Sequence, residues 1–236
     1  YNKTSQAGLV AHFTAMAEAG GIQAVMNLAD SNELIEGYIA AEGFDSPYYQ
    51  SLYEAGKVKA LNLGVDFTAA DFKSGLAEGL RFFAENEGPY LVHCTEGKDR
   101  AGFVSALLEC LMGATYDEVV ADYMVTYYNY YGVEPGTDKY NAIANSNIIK
   151  TLQNAFGVED MSKADLQKGA KDDMKAIGLT DAEITNLMVN LGYVAPVEPV
   201  TPSKPATGDA GIVVYLGLGV MALAGGVLVA KKKEQF

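Results

Sequence analysis

A cysteine and an arginine with five residues between them, Cys94 and Arg100, are the side chains in this sequence best suited to chemistry. A thiolate is a strong nucleophile, and a planar guanidinium can hold two oxygens of a phosphoryl group at once. On one loop, the pair suits nucleophilic attack on a phosphate ester. The alternative is a buried structural cysteine beside a surface Asp-Arg pair, which the flanking sequence disfavours.

The flanking residues predict a strand, a short polar loop and then a helix. Leu91-Val92-His93 is the end of an apolar run, and Phe103-Val104 continues a helix that begins at Arg100 or Ala101. Backbone amides of such a loop and of a helix N-terminus converge on one point and attract anions. The same field favours the thiolate form of the cysteine, so the sulfur is both reactive and directed at an anion.

The run His93-Cys94-x5-Arg100 resembles the phosphate loop of the cysteine-dependent protein tyrosine phosphatase superfamily. The inner Gly97-Lys98-Asp99-Arg100 is similar to the bacterial tyrosine/serine and lipid phosphatase branch. The resemblance covers about residues 9–193 and is most specific in the loop. It implies that Cys94 forms a cysteinyl-phosphate intermediate without a cofactor or metal. It also implies that the substrate-binding residues are Thr95, Glu96, Gly97, Lys98, Ala101 and Gly102.

Two aspartates are candidates for the general acid that protonates the leaving oxygen. Asp66 lies 28 residues before Cys94, on the loop after a predicted strand, where many members of the superfamily carry theirs. Asp99 lies inside the loop, where the resembling branch uses an aspartate in catalysis, and it is favoured. An ordinary loop or capping aspartate is the alternative for each. Lys98 implies activity on phosphoinositides as well as phosphotyrosine, unless it is a solvated surface lysine.

Several residues depart from the family pattern. Ala101 stands where Ser or Thr usually follows the arginine, and Glu96 stands where Ala is frequent. Both lead us to expect measurable but reduced phosphatase activity. Asn27 and Ala29 stand where Asp and Arg are usual. A catalytically impaired surface binding module is therefore a second hypothesis, and a rhodanese-like sulfurtransferase, which usually has a shorter loop, ranks last.

Strand-like and helix-like segments alternate along residues 9–193, which predicts an α/β fold. The resemblance implies a phosphatase-like central, mostly parallel sheet flanked by helices. Thr68 or Ala70 is expected to cap the helix that follows, and Gly178-Leu179-Thr180-Asp181-Ala182-Glu183 predicts a capping box. The predicted strands are 22–28, 58–63 and 90–93; the predicted helices are 9–17, 47–55, 71–85, 116–131, 138–157, 161–175 and one from Thr180.

The charge balance excludes nonspecific nucleic-acid binding. The chain has 30 acidic and 17 basic residues and a formal net charge of −13, so it repels polyanions except where local cations act. The two cysteines of the chain are not expected to form a disulfide, because Cys110 lies on the apolar helix after the loop, too far from the loop cysteine. Core packing is the expected role of Cys110.

The C-terminal residues predict attachment to the cell surface. Residues 194–206 are predicted to be a Pro-rich linker. Residues 204–236 resemble a Gram-positive sorting signal. This signal contains an apolar span at 212–230, which is expected to form a helix, and it ends in basic residues. The sortase motif would be Pro205, Thr207 and Gly208, with cleavage between Thr207 and Gly208. Retention as a single-pass membrane anchor is the alternative, and both place the enzyme outside the cell.

The predicted organisation is a phosphatase domain over residues 1–193, with an N-terminus that is expected to be truncated, followed by the linker and the sorting signal. The expected partners are a sortase, the cell wall or membrane, and a phosphorylated protein, lipid or inositol substrate.

Overall fold

Three parallel strands form the sheet in the structure, a computed structural model that describes residues 16–194. The strands are β1 (Ala24–Asn27), β2 (Val58–Ala60) and β3 (Tyr90–His93), in the order β2-β1-β3. Val25 on the central strand pairs with Val58 on one side and Leu91 on the other. The carboxyl ends of all three strands therefore meet at one edge of the sheet.

The central strand is buried on both faces, as parallel strands covered by helices are. Ala24, Met26 and Leu28 pack into the main hydrophobic core, whereas Val25 points to the other face and packs with Ile35 and Val58. The strand predicted at residues 22–28 extends beyond β1 at both ends. The apolar residues common to the prediction and to β1 account for the burial of this strand. The α/β fold class is confirmed.

Helices cover both faces of the sheet. They are α1 (Asn32–Ile39), α2 (Pro47–Glu54), α3 (Ala70–Glu85), α4 (Arg100–Leu111), α5 (Tyr116–Tyr131), α6 (Asp138–Ala144), α7 (Asn147–Ala155), α8 (Leu166–Ala176) and α9 (Asp181–Asn190), with a 3-10 turn at Met161–Lys163.

Helix α4 is the centre of the main core. Eight of its residues are buried, and it packs against β3, α5, α7 and α8. Cys110 on this helix is fully buried, and burial raises the pKa of its thiol to about 12. The predicted packing role of Cys110 is confirmed.

Local signals predicted several helices well. Helix α5 has the predicted bounds, and a capping box between Thr180 and Glu183 begins α9. Helix α1 was missed because Gly37 argued against it, although Ser31 caps its N-terminus through the amide of Leu34.

Other boundaries differ from the prediction. The segment 138–157 forms two helices and not one, because the helical conformation is interrupted between α6 and α7. The proposed caps Thr68 and Ala70 are wrong: Ala69 is the N-cap of α3 and offers no side chain, while the Thr68 hydroxyl donates to Asp66.

Several predictions fall outside the described residues: most of the first helix, the Pro-rich linker, the sortase motif and the apolar span at 212–230. Within residues 16–194, no helix is long and apolar enough to cross a bilayer.

Candidate active site

The loop that carries Cys94 joins the end of β3 to the start of α4. Its backbone turns at Gly97, whose φ of +79° is a conformation that residues with a Cβ rarely adopt. The helix closes its first turn when the amide of Phe103 donates to the carbonyl of Asp99 at 2.8 Å. The sequence therefore folds locally into the strand, loop and helix that were predicted.

The guanidinium of Arg100 is anchored to the ends of the other two strands. Its Nη1 donates to the carbonyl of Leu63 at 2.8 Å and, more weakly, to that of Leu28 at 3.4 Å. Its Nη2 donates to the hydroxyl of Thr95 at 2.9 Å. Backbone carbonyls after β1 and β2 thus fix the orientation of the arginine.

The remaining donor of this guanidinium, Nε, is buried and makes no hydrogen bond within residues 16–194. In an arginine, the Nε–H and one Nη2–H point outward from the same edge of the guanidinium. Together they form a pair of donors that matches two oxygens of a phosphate. Nη2 already donates to the Thr95 hydroxyl, so the loop lies beside the Nη2 end of the guanidinium. A buried donor without a partner is costly, and a bound oxyanion would satisfy it.

Lys98 is engaged within the loop and is not a free cation at its mouth. Its Nζ lies 2.6 Å from Asp99 Oδ2 and 3.3 Å from Glu96 Oε2. The hydrogen bond to Asp99, aided by Glu96, raises the pKa of Lys98. The ammonium therefore neutralises its neighbours, and the three side chains together carry one net negative charge.

His93 is neutral near pH 7 because burial lowers the pKa of its imidazole to about 4. The Asp30 carboxylate and the backbone of Cys94 act in the opposite direction. The ring also makes an edge contact with Tyr49, at 6.0 Å between centroids. The imidazole therefore adds no positive charge beside Cys94.

Asn27 organises the segment that follows β1. Its side chain is buried, and its Oδ1 accepts from the amides of Ala29 and Asp30, each at 3.0 Å. Its Nδ2 donates to Asp30 Oδ2 at 3.0 Å and to the Tyr49 hydroxyl at 3.1 Å. The amide therefore fixes the Asp30 carboxylate on the side of the sheet edge where His93 ends β3.

A cavity of about 560 Å³ opens over this edge. Cys94, Thr95, Glu96 and Gly97 form its floor on the loop side. Its walls come from α1, α2 and α5 and the segments around them: Asn27, Asp30, Ile35, Tyr38, Ile39, Phe44, Ser46, Tyr49, His93, Thr126, Asn129 and Tyr130. The cysteine thus faces a largely apolar cavity whose lining includes two carboxylates, those of Asp30 and Glu96.

Asp66 does not join this cavity. It lines a separate depression of about 440 Å³ on the side of α3 and α8. Its carboxylate accepts from the amide and the hydroxyl of Thr68, at 3.0 and 2.7 Å, and these bonds lower the pKa of Asp66. In this position Asp66 is a turn-forming carboxylate, which is a poor proton donor.

Ala101 and Gly102 begin α4 beneath the loop. Ala101 is buried. A Cβ on Gly102 would lie 3.0 Å from Cε2 of Tyr123, so glycine allows α5 to approach the site helix closely. Neither residue lines the cavity that contains Cys94, and the same holds for Lys98, Asp99 and Arg100.

The tyrosines at the end of α5 were predicted to lie in the core and at a rim. Tyr127 is buried, whereas Tyr128, Tyr130 and Tyr131 are about half exposed. Tyr130 lines the cavity, so this helix end supplies part of the site's entrance.

Sequence reasoning missed the contribution of Asp30, Tyr49 and the apolar residues of α1. One signal was present: Asp30 follows the central strand, at the sheet edge where α/β proteins bind ligands. The side-chain pattern of α1, with Ile35 and Ile39 four residues apart, was a second. Among residues 16–194, no three His, Cys, Asp or Glu side chains are grouped so that they could hold a metal ion.

Two parts of the chain match known protein families. Residues 45–191, more than half of the 236-residue chain, match the model of the tyrosine phosphatase family. A tyrosine-protein phosphatase of Nostoc commune is 28% identical over 134 residues; the match spans 48% of this chain and 42% of that relative. No solved structure matches the chain.

A second match covers residues 205–235, which fit the LPXTG cell wall anchor motif. The chain is therefore a surface protein attached to the cell wall, and a sortase is an implied partner.

Proposed function

Because the chain belongs to the tyrosine phosphatase family, we propose that it is a cell-wall-anchored phosphatase that hydrolyses phosphate monoesters through a cysteinyl-phosphate. The observation that carries this proposal is the Arg100 fork. Its Nη1 is bound to the carbonyls of Leu28 and Leu63, and its buried Nε shares an edge with the Nη2 that faces the loop. This edge can bind two phosphoryl oxygens.

The first step is attack on phosphorus. The Cys94 sulfur forms a bond to phosphorus as the bond to the ester oxygen breaks, and Arg100 with the loop amides stabilises the equatorial oxygens. In the second step, water attacks phosphorus, the S–P bond breaks, and inorganic phosphate leaves with the thiolate regenerated.

Asp99 is the proposed general acid for the leaving oxygen. It lies inside the loop beside Arg100, whereas Asp66 faces another depression and is held by Thr68. Asp99 is paired with Lys98 in the absence of substrate. A bound phosphate dianion would compete for that lysine and release the Asp99 carboxyl from the pair.

The substrate is a phosphorylated protein, lipid or inositol, and the cavity wall favours an aromatic ester. Ile35, Tyr38 and Tyr49 surround the space above Cys94 with apolar surface that a phenyl ring would bury. Phosphotyrosine is therefore the preferred phosphate ester in this proposal.

The test compares the full chain with its Cys94→Ser variant on p-nitrophenyl phosphate. We expect turnover by the wild type and at least a thousandfold loss in the variant, because removal of a nucleophile abolishes the covalent route. Equal rates would contradict the proposal. A wild-type protein that binds vanadate without any turnover would instead identify a surface binding module, for which Ala101 and Glu96 are the motivating departures.

A further inference from the structure

The active-site cavity is acidic beyond the point where phosphate would bind. Asp30 and Glu96 both line it, and no lysine or arginine appears among the described residues of its wall. Lys98 is already paired with Asp99 and Glu96, and Arg100 lies beneath the loop with its Nη1 on backbone carbonyls. A substrate therefore meets cations only at its reacting phosphate.

Asp30 is a fixed feature of this wall. The Asn27 amide donates to its carboxylate at 3.0 Å, and Asn27 is itself buried and held by two backbone amides. Asp30 also precedes residues 45–191, the part of the chain that matches the phosphatase family. It follows the central strand β1, at the edge of the sheet where the cavity opens.

The rest of the wall is apolar. Ile35, Tyr38, Ile39 and Phe44 face the same space, and Tyr38 and Tyr130 are about half exposed at its entrance. An aromatic ring can bury its surface here. A second or third phosphate on the substrate would instead lie against carboxylates in a partly desolvated cavity, where like charges repel.

We propose that this cavity selects phosphotyrosyl peptides in which lysine or arginine flanks the phosphotyrosine, with Asp30 and Glu96 binding the flanking cations. The inference rests on the proposed function, because it concerns the substrate of the same site. Charge complementarity identifies the occupant: the phosphate reaches Arg100, the ring packs on the apolar wall, and the flanking cation meets a carboxylate. Polyphosphorylated inositols lack both the ring and the cation.

The test uses two phosphotyrosyl peptides that differ only in flanking residues, Lys on both sides or Glu on both sides. We expect the full chain to have a kcat/KM about tenfold higher for the Lys peptide, since partly exposed ion pairs strengthen binding of this peptide and like charges oppose binding of the Glu peptide. The ratio should shrink as salt is added, because exposed charges are screened.

Variants assign the effect to the cavity. Asp30→Asn should lower the Lys/Glu ratio to about threefold, and Asp30→Asn with Glu96→Gln should bring it close to one. Glu87→Gln removes the same charge from an exposed residue before β3, at the opposite end of that strand, and should leave the ratio unchanged. Circular dichroism confirms that each variant is folded.

A binding measurement separates failure of the inference from failure of the proposed function. Fluorescence anisotropy of the Cys94→Ser variant should show tighter binding of the Lys peptide, whether or not the wild type turns over. Hydrolysis of both peptides with equal kcat/KM and equal affinity would overturn the inference and leave the phosphatase intact. So would an unchanged ratio in the double variant, or a higher kcat/KM for a soluble phosphatidylinositol trisphosphate than for the Lys peptide.

Discussion

Lys98 donates to Asp99 across 2.6 Å within the loop that carries Cys94. The same ammonium lies 3.3 Å from Glu96, so one cation compensates two carboxylates beside the phosphate site. Because of this pairing, the main effect of Lys98 is to offset the negative charge of the two loop carboxylates. Attraction of a distant anion is the smaller effect.

Removal of Lys98 should weaken phosphate binding. Lys98→Met leaves Asp99 and Glu96 without their cation, and two carboxylates then repel the substrate. We expect KM for p-nitrophenyl phosphate to rise about threefold to tenfold, because each partly exposed pair is worth ~0.2–1 kcal/mol. Steady-state kinetics provide the measurement. Lys59→Met is the matched control, since Lys59 pairs with Glu78 on the surface, and a similar KM increase there would argue against a local effect.

The general acid can be assigned from the leaving-group dependence. Asp99→Asn should lower kcat/KM for phenyl phosphate by about 10²-fold, the lower end for general acid catalysis, and should affect an activated dinitrophenyl ester much less. Rates for a series of aryl phosphates provide the measurement. Asp66→Asn should show no such dependence, because Asp66 lies in another depression. A steep dependence in Asp66→Asn alone would assign the proton to Asp66.

Hydrolysis of the intermediate should be slow with alanine at position 101. The family pattern places a hydroxyl here that helps the cysteine leave, and Ala101 is buried at the start of α4. We expect the wild type to release a burst of nitrophenol equal to the enzyme concentration, followed by a slower steady rate. Ala101→Ser should raise the steady rate and diminish the burst. Stopped-flow absorbance measures both, and a wild type without a burst would show that the first step limits turnover.

Stability should depend on Glu109. Burial, and then the nearby Asp122 carboxylate, raise the pKa of Glu109 to about 8 in the folded chain, compared with 4.5 as the ordinary value. Between these values the folded state binds more protons than the unfolded state, so the free energy of unfolding falls as pH rises. Since Glu109 is partly exposed, we expect Glu109→Gln to stabilise the protein by about 1–2 kcal/mol at pH 8.

Thermal unfolding at pH 5 and pH 8 measures this effect. The gain in Tm from Glu109→Gln should be about 2–6 °C at pH 8 and smaller at pH 5. Glu118 provides a contrast, because hydrogen bonds from Thr115 lower the pKa of that carboxyl in a capping box. Glu118→Gln should lower Tm at pH 8, and a gain in that variant would show that the pH argument is wrong.

Much of the fold was predictable because its signals are local. The strand, loop and helix around Cys94 are contiguous, and Gly97 allows the turn that the loop needs. Capping residues such as Thr180 mark a helix start within four residues of sequence. Helix α1 was missed because Gly37 weighs against a helix, while packing of Ile35 on the sheet outweighs that preference.

The sequence by itself determined the phosphatase loop and the cell wall anchor motif, since each is a short run whose residue types and spacing are enough. Only the tertiary structure decided which distant residues share the site. The parallel order β2-β1-β3 brings the ends of three strands together, so Asp30 enters the cavity of Cys94 and the Leu63 carbonyl holds Arg100. Asp66 has the expected spacing, but it lines a separate depression and not the cavity of Cys94. Spacing along a chain fixes neither side-chain direction nor which strand ends meet.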